Sequence, residues 1–572
     1  MKNRALFFGD NLQVIEEIFP EKIFDLIYLD PPFNSNRNYN VLFKEGLVDS
    51  SAQIRAFEDT WEWTPSTIRL FEGLKENSNP QIAILMNSLY EILRDTPMMA
   101  YLVNMTARLI PLRRVLKDTG SIYLHCDPTA SHYLKIMMDA IFDIVNFRSE
   151  IIWKRSGSHN SANRFGPIHD VILFYSRSSH FLFNQTYRPY LKGHVEDYFK
   201  KHDLKGNYWT NALTGSGTRK GLSGKPWQSY NPTNVGRHWA IPGKITENLG
   251  LGEELTPQEK LDVLDAKGFI DHPQKDSLAM PTYRQYLETS PGVPIQDIWA
   301  YQPHTRGTLY GNKEGIDEDV RWLVSQGDKE RLGYPTQKPQ GLLERIIKAS
   351  SNEGDWVLDP FCGCGTTIAV AESLHRNWIG IDVSMQSINV IRDRMASHFP
   401  NVKIIIDGIP KDFEGAQALA DKDKFAFQDW AITLVGANPP RGESKKGADR
   451  GIDGLILFRD KADYANPKLR KILVQVKGGG VNRGDIAKLK GDIEREDAPM
   501  GILITLREST SEMKREASLA GEYKYTEATS FPRIQILSIK DWFEDKRVLI
   551  PSDKVSPFKK AEPKSDQLPL LK

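Results

Sequence analysis

Cysteine is scarce in this sequence. The 572 residues hold three, Cys126, Cys362 and Cys364, too few for a disulfide framework, which fits a reducing compartment. Cys362 and Cys364 lack a second pair or nearby histidines at metal-ligand spacing, so they predict no zinc site. No apolar run reaches membrane-spanning length, and the opening MKNRALFFGD lacks a signal-peptide shape. Net charge is almost absent at +1, so the whole-chain balance says nothing about nucleic acid. A Walker A sequence is missing, and position 368 is Ile where a GxGxxG run from Gly363 would need glycine. Both absences disfavour a dinucleotide or nucleoside triphosphate. With 40% hydrophobic and 26% charged residues, the chain reads as a soluble cytoplasmic protein of three or four domains, without a membrane partner.

Local composition is more informative. Residues 151–240 carry 13 Lys/Arg against 4 Asp/Glu and 15 aromatics, among them Trp153, Tyr190, Trp209, Trp227 and Trp239. Cations among aromatics suit a phosphate-bearing, base-stacking partner, although a solvated surface over ordinary core aromatics has the same composition.

Apolar runs and helical periods alternate at both ends of this region. Leu6–Phe8 and Ile23–Leu29 read as buried parallel strands ending at Asp10 and Asp30. A helix over about 98–116, strands at 121–125, 150–153 and 170–175, and a weakly periodic Gly/Pro/Trp-rich stretch follow. α/β character returns with a helix over 339–349, a strand at 356–358, a Gly-rich turn, a helix over 366–374 and a strand at 378–381. The pattern predicts one doubly wound α/β sheet assembled from residues 1–175 and 333–408, with an insert over 176–332. Charged residues 409–424 read as a linker, 425–551 as a second small α/β domain, and 552–572 as a disordered tail.

Two motifs carry chemistry. In Asp359-Pro-Phe-Cys-Gly-Cys-Gly-Thr-Thr367, Gly363 and Gly365 allow a tight turn and close approach to a ligand. Asp382, 17 residues after Gly365, ends the next strand, where a carboxylate can accept hydrogen bonds from ribose hydroxyls. That pairing predicts an adenosine-containing cofactor. In Asp30-Pro31-Pro32-Phe33, the Asp30 carboxylate and the Pro31 carbonyl can hold both hydrogens of an aromatic amine. Such acceptors favour the tetrahedral nitrogen that attacks a methyl donor, the two prolines stiffen the loop, and Phe33 can stack on an extruded base.

Seven segments in this order, LFFGD, DLIYLDPPFNSNRNYN, GSIYLHCD, HDVILFYSR, YPTQKPQGLLERI, LDPFCGCGTT and WIGIDVS, resemble the permuted beta-class amino-methyltransferases of DNA. The likeness is closest to modification subunits of type III restriction systems and to related solitary enzymes. It implies a Rossmann-like sheet that binds S-adenosylmethionine, with a target-recognition insert, acting on a flipped base in double-stranded DNA. By position it implies that Asp10 lies by the cofactor adenine and Asp382 by the ribose. Asp359, Phe361, Gly363, Gly365 and Thr366 cradle the methionine end, with Lys338 in the segment closing over it. Asp30 at the head of PPF favours adenine N6 over cytosine N4. A homodimer and a separate restriction or helicase subunit are partners compatible with the family. A recognition subunit serving a partner nuclease is the non-enzymatic alternative.

The C-terminal unit resembles Mrr-like restriction endonucleases through Asp453 and, 22 residues on, Gln475-Val476-Lys477. Period-2 placement puts Gln475 and Lys477 on one strand face. The resemblance implies Mg²⁺ held by Asp453 with Gln475 and water oriented by Lys477, with an inert DNA-binding or scaffold domain as the alternative. Gln428 or Asp429 on the preceding helix is the further candidate to complete that site.

Overall fold

A computed structural model describes residues 2–32, 39–45, 48–57, 61–77, 79–157, 163, 165–273, 279–300, 309–310, 320, 323, 330–334, 336–440, 451–460 and 468–555. Phe33 lies outside the described residues. The chain forms two compact units, one comprising Met1–Asn184, Asp297–Ala300 and Val320–Lys572, the other Gln185–Gln296 and Tyr301–Asp319.

The first unit is built on nine strands: β1 (Ala5–Phe8), β2 (Phe24–Leu29), β3 (Leu116–Cys126), β4 (Phe147–Lys154), β5 (His169–Ser176), β6 (Ile298–Trp299), β7 (Trp356–Asp359), β8 (Asn377–Asp382) and β9 (Ile405–Asp407). Their order in the sheet is β6-β4-β5-β3-β2-β7-β8-β1-β9. β5 runs antiparallel to β3 and β4, while the remaining pairs are parallel. The runs ALFF and FDLIYL are apolar almost throughout because helices cover both faces of a parallel sheet. Parallel strands end on one edge, so the neighbours β2, β7, β8 and β1 deliver Asp30, Asp359, Asp382 and Asp10 to a single crevice.

Helices α1 (Asn11–Ile18), α2 (Pro97–Val115), α3 (Gln340–Ser350), α4 (Thr366–Ser373) and α5 (Met385–His398) connect this frame. α2 is buried almost all round, from Met99 to Leu112, and sits in the main hydrophobic core.

Residues 409–424 differ from the linker expected there. Phe413–Lys422 forms helix α6, capped by Asp412, whose side chain accepts from Gly415 N at 2.7 Å. Charged composition suggested a linker, but Ala416 and Ala420, four apart, form a narrow apolar stripe that is buried. α7 (Lys424–Leu434) follows at once. The C-terminal sheet has strands β10 (Gly454–Asp460), β11 (Lys468–Lys477), β12 (Met500–Thr505) and β13 (Ile534–Ser538) in that order, with α8 (Arg483–Arg495) and α9 (Ser511–Ser518) on its core face. Residues 553–555, placed in the tail by composition, pair with the β10 edge through Arg459 N to Asp553 O and Val555 N to Leu457 O.

The second unit is more regular than its composition suggests. A four-stranded antiparallel sheet joins Lys201–Asp203, Gly206–Ala212, Thr282–Tyr286 and Ile270–Asp271, beside helix Pro257–Ala266. The unit starts at Gln185, not 176, because Ser176 still pairs in β5, and Ile298–Trp299 returns to the first unit beside β4. Trp227 and Trp239 are 3% exposed and form the core of this unit, and Tyr190 is buried in a smaller cluster. Trp153 is buried in the first unit. These aromatics are packing residues rather than a stacking surface, since each meets its burial demand inside a small fold.

Candidate functional site

The acidic edge is ordered by cations that the sheet brings to it. Lys338, just before α3, directs its ammonium to Asp30 Oδ2. Asp30 Oδ1 is buried and has no hydrogen-bond partner among the described residues. A buried carboxylate oxygen left without a donor is costly, and this one stands at the strand end on the same sheet edge as the glycine loop. Pro31 is buried, and the Pro32 carbonyl accepts from Trp61 Nε1 at 3.4 Å, which fixes the loop.

Asp10 caps α1 by accepting from Leu12 N at 2.8 Å, and it receives Arg108 Nη2 at 3.1 and 3.2 Å. Arg108 projects from buried α2, donates to Asn11 Oδ1 at 2.7 Å and lies 5.6 Å from the Trp61 ring centroid. Burial pulls its guanidinium below the ordinary value, with Asp10 opposing that pull. Neither Arg108 nor Trp61 was singled out in the sequence, although one arginine inside MMAYLVNMTARLIPL was a legible signal of a buried partner.

Behind Asp30 lies a buried relay. Tyr28 Oη meets His125 Nδ1 at 2.9 Å, His125 Nε2 meets Asp170 Oδ2 at 3.1 Å, and Arg155 Nη1 donates to Asp170 Oδ1 at 2.8 Å. Burial pushes Asp170 upward, but His125, Lys338 and Arg155 together hold it below the usual carboxylate range.

The glycine loop has the shape of a ligand cradle. Asp359 Oδ1 accepts from Phe361 N at 3.1 Å, and burial pushes Asp359 up to about 7. Gly363 and Gly365 have φ +50° and +74°, and a Cβ on Gly365 would stand 2.7 Å from Ile391 Cγ1. Gly363 N donates to Asp382 Oδ2 at 2.8 Å and Ser384 N to Oδ1 at 2.9 Å. Burial pushes Asp382 up to about 6. Ser387 adds a side-chain hydrogen bond to the same carboxylate, which still keeps a lone pair that a ribose hydroxyl can use. Tyr334 is buried over Gly363, with Oη 3.2 Å from Ser387 Oγ. Thr366 Oγ1 donates to the Lys338 carbonyl at 3.1 Å, so cradle and Asp30 partner are tied together. A cradle open only to glycine, a carboxylate beside it and an unpartnered acid oxygen fit an adenosine cofactor carrying a transferable group.

A family model described as DNA methylase, covering N6 and N4 enzymes, matches residues 24–393. The chain belongs to the N6/N4 DNA methylase family. The methylase match spans β2 through most of α5, which contains the edge described above. A second model, NACHT-associated inactive restriction endonuclease 1, matches residues 441–532, so the C-terminal domain of the chain is of that endonuclease-like type. The type II methyltransferase M.EcaI of Enterobacter cloacae is 33% identical over 301 residues, 52% of this chain and 58% of that protein. The StyLTI Mod subunit of a type III restriction-modification enzyme from Salmonella typhimurium is 27% identical over 378 residues, 64% of this chain and 49% of that one. The chain thus spans about half the length of these curated relatives. The solved M1.HpyAVI–SAM complex is similar at 13% identity and TM-score 0.29, covering 68% of this chain and 98% of that one.

In the endonuclease-like domain, the residues do not fit Mg²⁺. Asp453 accepts from Gln428 Nε2 at 2.7 Å and from Val476 N at 2.6 Å. Gln475 is fully buried and turns its amide donor to Asp492 Oδ2 at 2.5 Å, leaving Oε1 without a partner among the described residues, while Arg495 Nη1 lies 2.6 Å from Asp492 Oδ1. Lys477 is half-buried at the end of β11. Among the described residues no group of three His, Cys, Asp or Glu is placed to hold a metal. Gln428, considered as a nuclease residue, does reach Asp453, whereas Asp429 accepts from Met385 N at the start of α5.

Proposed function

We propose that the protein is a site-specific DNA methyltransferase that uses S-adenosylmethionine to methylate the exocyclic amine of a flipped base, adenine N6 in the first instance. The observation that carries this is Asp30 Oδ1, a buried acceptor with no donor among the described residues, on the same strand edge as the glycine cradle. The bound cofactor supplies an electrophilic methyl on a sulfonium. Asp382 takes the ribose hydroxyls, Asp10 borders the adenine, and the loop from Asp359 through Phe361 to Thr366 holds the methionine end. Asp30 Oδ1 accepts one amine hydrogen of the target base and the Pro31 carbonyl the other, which draws the nitrogen lone pair out of the ring. As the nitrogen gains positive charge, the fixed Asp30 charge stabilises it at no cost in reorganisation. Lys338 holds the Asp30 carboxylate in place at the strand edge, so Asp30 orients the amine, and the proton shed by the methylated nitrogen passes to solvent.

The Gln185–Gln296 unit selects the DNA sequence. Its residues 216–222 are all exposed and include Arg219 and Lys220, suited to phosphate contact. A restriction-modification role and a separate restriction subunit accord with the type II and type III relatives, and a homodimer is part of the same reading. No helix among the described residues is long and apolar enough to cross a membrane, and a cytoplasmic site of action accords with the DNA substrate.

Modified-base sequencing of DNA from cells expressing the protein tests the reading. N6-methyladenine at one short motif is the expected result. N4-methylcytosine alone would reassign the base, and unmodified DNA despite cofactor binding would make the chain a recognition subunit.

A further inference from the structure

Residues 394–440 fall between the two family matches, and they hold the segment expected to be a linker. Helix α7 in that interval makes polar contacts in two directions. Gln428 Nε2 donates to Asp453 Oδ1 of the endonuclease-like domain at 2.7 Å. The adjacent Asp429 accepts from Met385 N at 2.7 Å, in the first turn of methylase helix α5. A second tie runs beside it. Asn438 exchanges backbone hydrogen bonds with Leu455 of β10 at 2.9 and 2.7 Å, while its side-chain oxygen accepts from Gln386 Nε2 at 2.9 Å.

What these ties reach is the cofactor edge. The first turn of α5 follows directly on Asp382, whose carboxylate accepts from Ser384 N, and it contains Ser387, which meets the Tyr334 hydroxyl. Asp382 on one side and Asp429 on the other therefore share the free amides of one helix start, Ser384 N and Met385 N. Unpaired amides and the positive end of the helix dipole favour a carboxylate there.

We infer that Asp429 is a cofactor-positioning residue, and that α7 and Asn438 dock the endonuclease-like domain on α5 so that this domain completes the cofactor edge of the methylase. Asp453, at the position where a nuclease would hold metal, serves here as an anchor for Gln428. The inference rests on the proposed S-adenosylmethionine site.

The test uses the full chain and calorimetric titration with S-adenosylmethionine for wild type, Asp429→Ala and the isosteric Asp429→Asn. Wild type is expected to bind. Asp429→Ala should bind about tenfold more weakly, the scale of losing one hydrogen bond to a charged acceptor. Asp429→Asn, which keeps an acceptor oxygen, should recover most of that loss. In methyl-transfer assays KM for the cofactor should rise with kcat at saturation unchanged. A lower melting temperature with unchanged cofactor affinity and KM in both variants would reduce Asp429 to a structural contact and overturn the inference. Absence of cofactor binding by wild type would overturn both the inference and the function it rests on.

Discussion

The methylase edge and the endonuclease-like domain place acidic or amide groups at the ends of central strands, yet they use them in opposite ways. In the methylase, Asp30 has one oxygen paired to Lys338 and the other buried without a donor among the described residues. In the C-terminal domain, both oxygens of Asp453 accept from within the chain, and Gln475 spends its donor on Asp492. Burying a polar atom without a partner costs about 1–3 kcal/mol, a cost that Gln475 Oε1 also bears, so the contrast rests on the acids: Asp30 keeps one oxygen without a donor among the described residues and Asp453 keeps none. A strand-end carboxylate already consumed by the chain's own amides is a structural part. The same motif position is thus a site in one domain and an anchor in the other.

The largest effect that can break this comparison is on turnover. Asp30→Ala should lower kcat by roughly 10²–10³-fold or more, the range for removing one preorganised charge-stabilising group, and leave cofactor affinity nearly unchanged. Radiolabelled methyl transfer and calorimetry on one preparation separate the two quantities. Equal loss of both would move Asp30 into the cofactor site.

Next in size is Asp382. Asp382→Ala should weaken S-adenosylmethionine binding by about 1–3 kcal/mol while sparing DNA affinity measured without cofactor. An unchanged dissociation constant would remove Asp382 from the ribose position.

Sequence carried most of this edge because strand ends are legible. Apolar runs terminated by Asp10, Asp30, Asp359 and Asp382 are a one-dimensional signal of a parallel sheet, and parallel order alone makes those four residues neighbours. Partners contributed by distant segments were not legible. Lys338 keeps its carbonyl on Thr366 of the glycine loop, and its ammonium reaches across 308 positions to Asp30, a partner the sequence did not mark. Arg108 reaches 98 positions to Asp10. Composition misled in one place. Charge in 409–424 concealed a helix whose buried face is only two alanines wide. Among the aromatics of 151–240, Trp227 and Trp239 serve as core, the alternative that composition also allowed.

A smaller effect is set by pH. Asp359 and Asp382 stand at about 7 and about 6 in the folded protein against an ordinary value of 3.8. Between those limits the native state binds more protons than the unfolded chain. The stability gained from these neutral acids is therefore present below about pH 4 and lost as pH rises through 6 and 7. Cofactor binding should run the other way, because ribose hydroxyls donate to ionised Asp382. Affinity should tighten about tenfold from pH 5 to pH 7.5. Asp382→Asn should flatten that profile, and a slope surviving in the variant would assign it to another group.

The smallest expected effect is none. Purified protein with Mg²⁺ should leave unmethylated DNA intact, as should Asp453→Ala and Lys477→Ala. Cleavage by wild type that both substitutions abolish would restore the second domain as a nuclease and erase the contrast.

The central claim, that Asp30 Oδ1 awaits the target amine, is tested most directly by a double-mutant cycle between protein and base. Affinity would be measured, with a non-reactive cofactor analogue, for cognate DNA carrying adenine or purine (which lacks the exocyclic amine) at the target, using wild type and Asp30→Ala. The account predicts that wild type loses affinity on the purine site, that Asp30→Ala does not distinguish the two, and that the coupling is about 1–3 kcal/mol. Zero coupling, with both proteins treating adenine and purine alike, would contradict it.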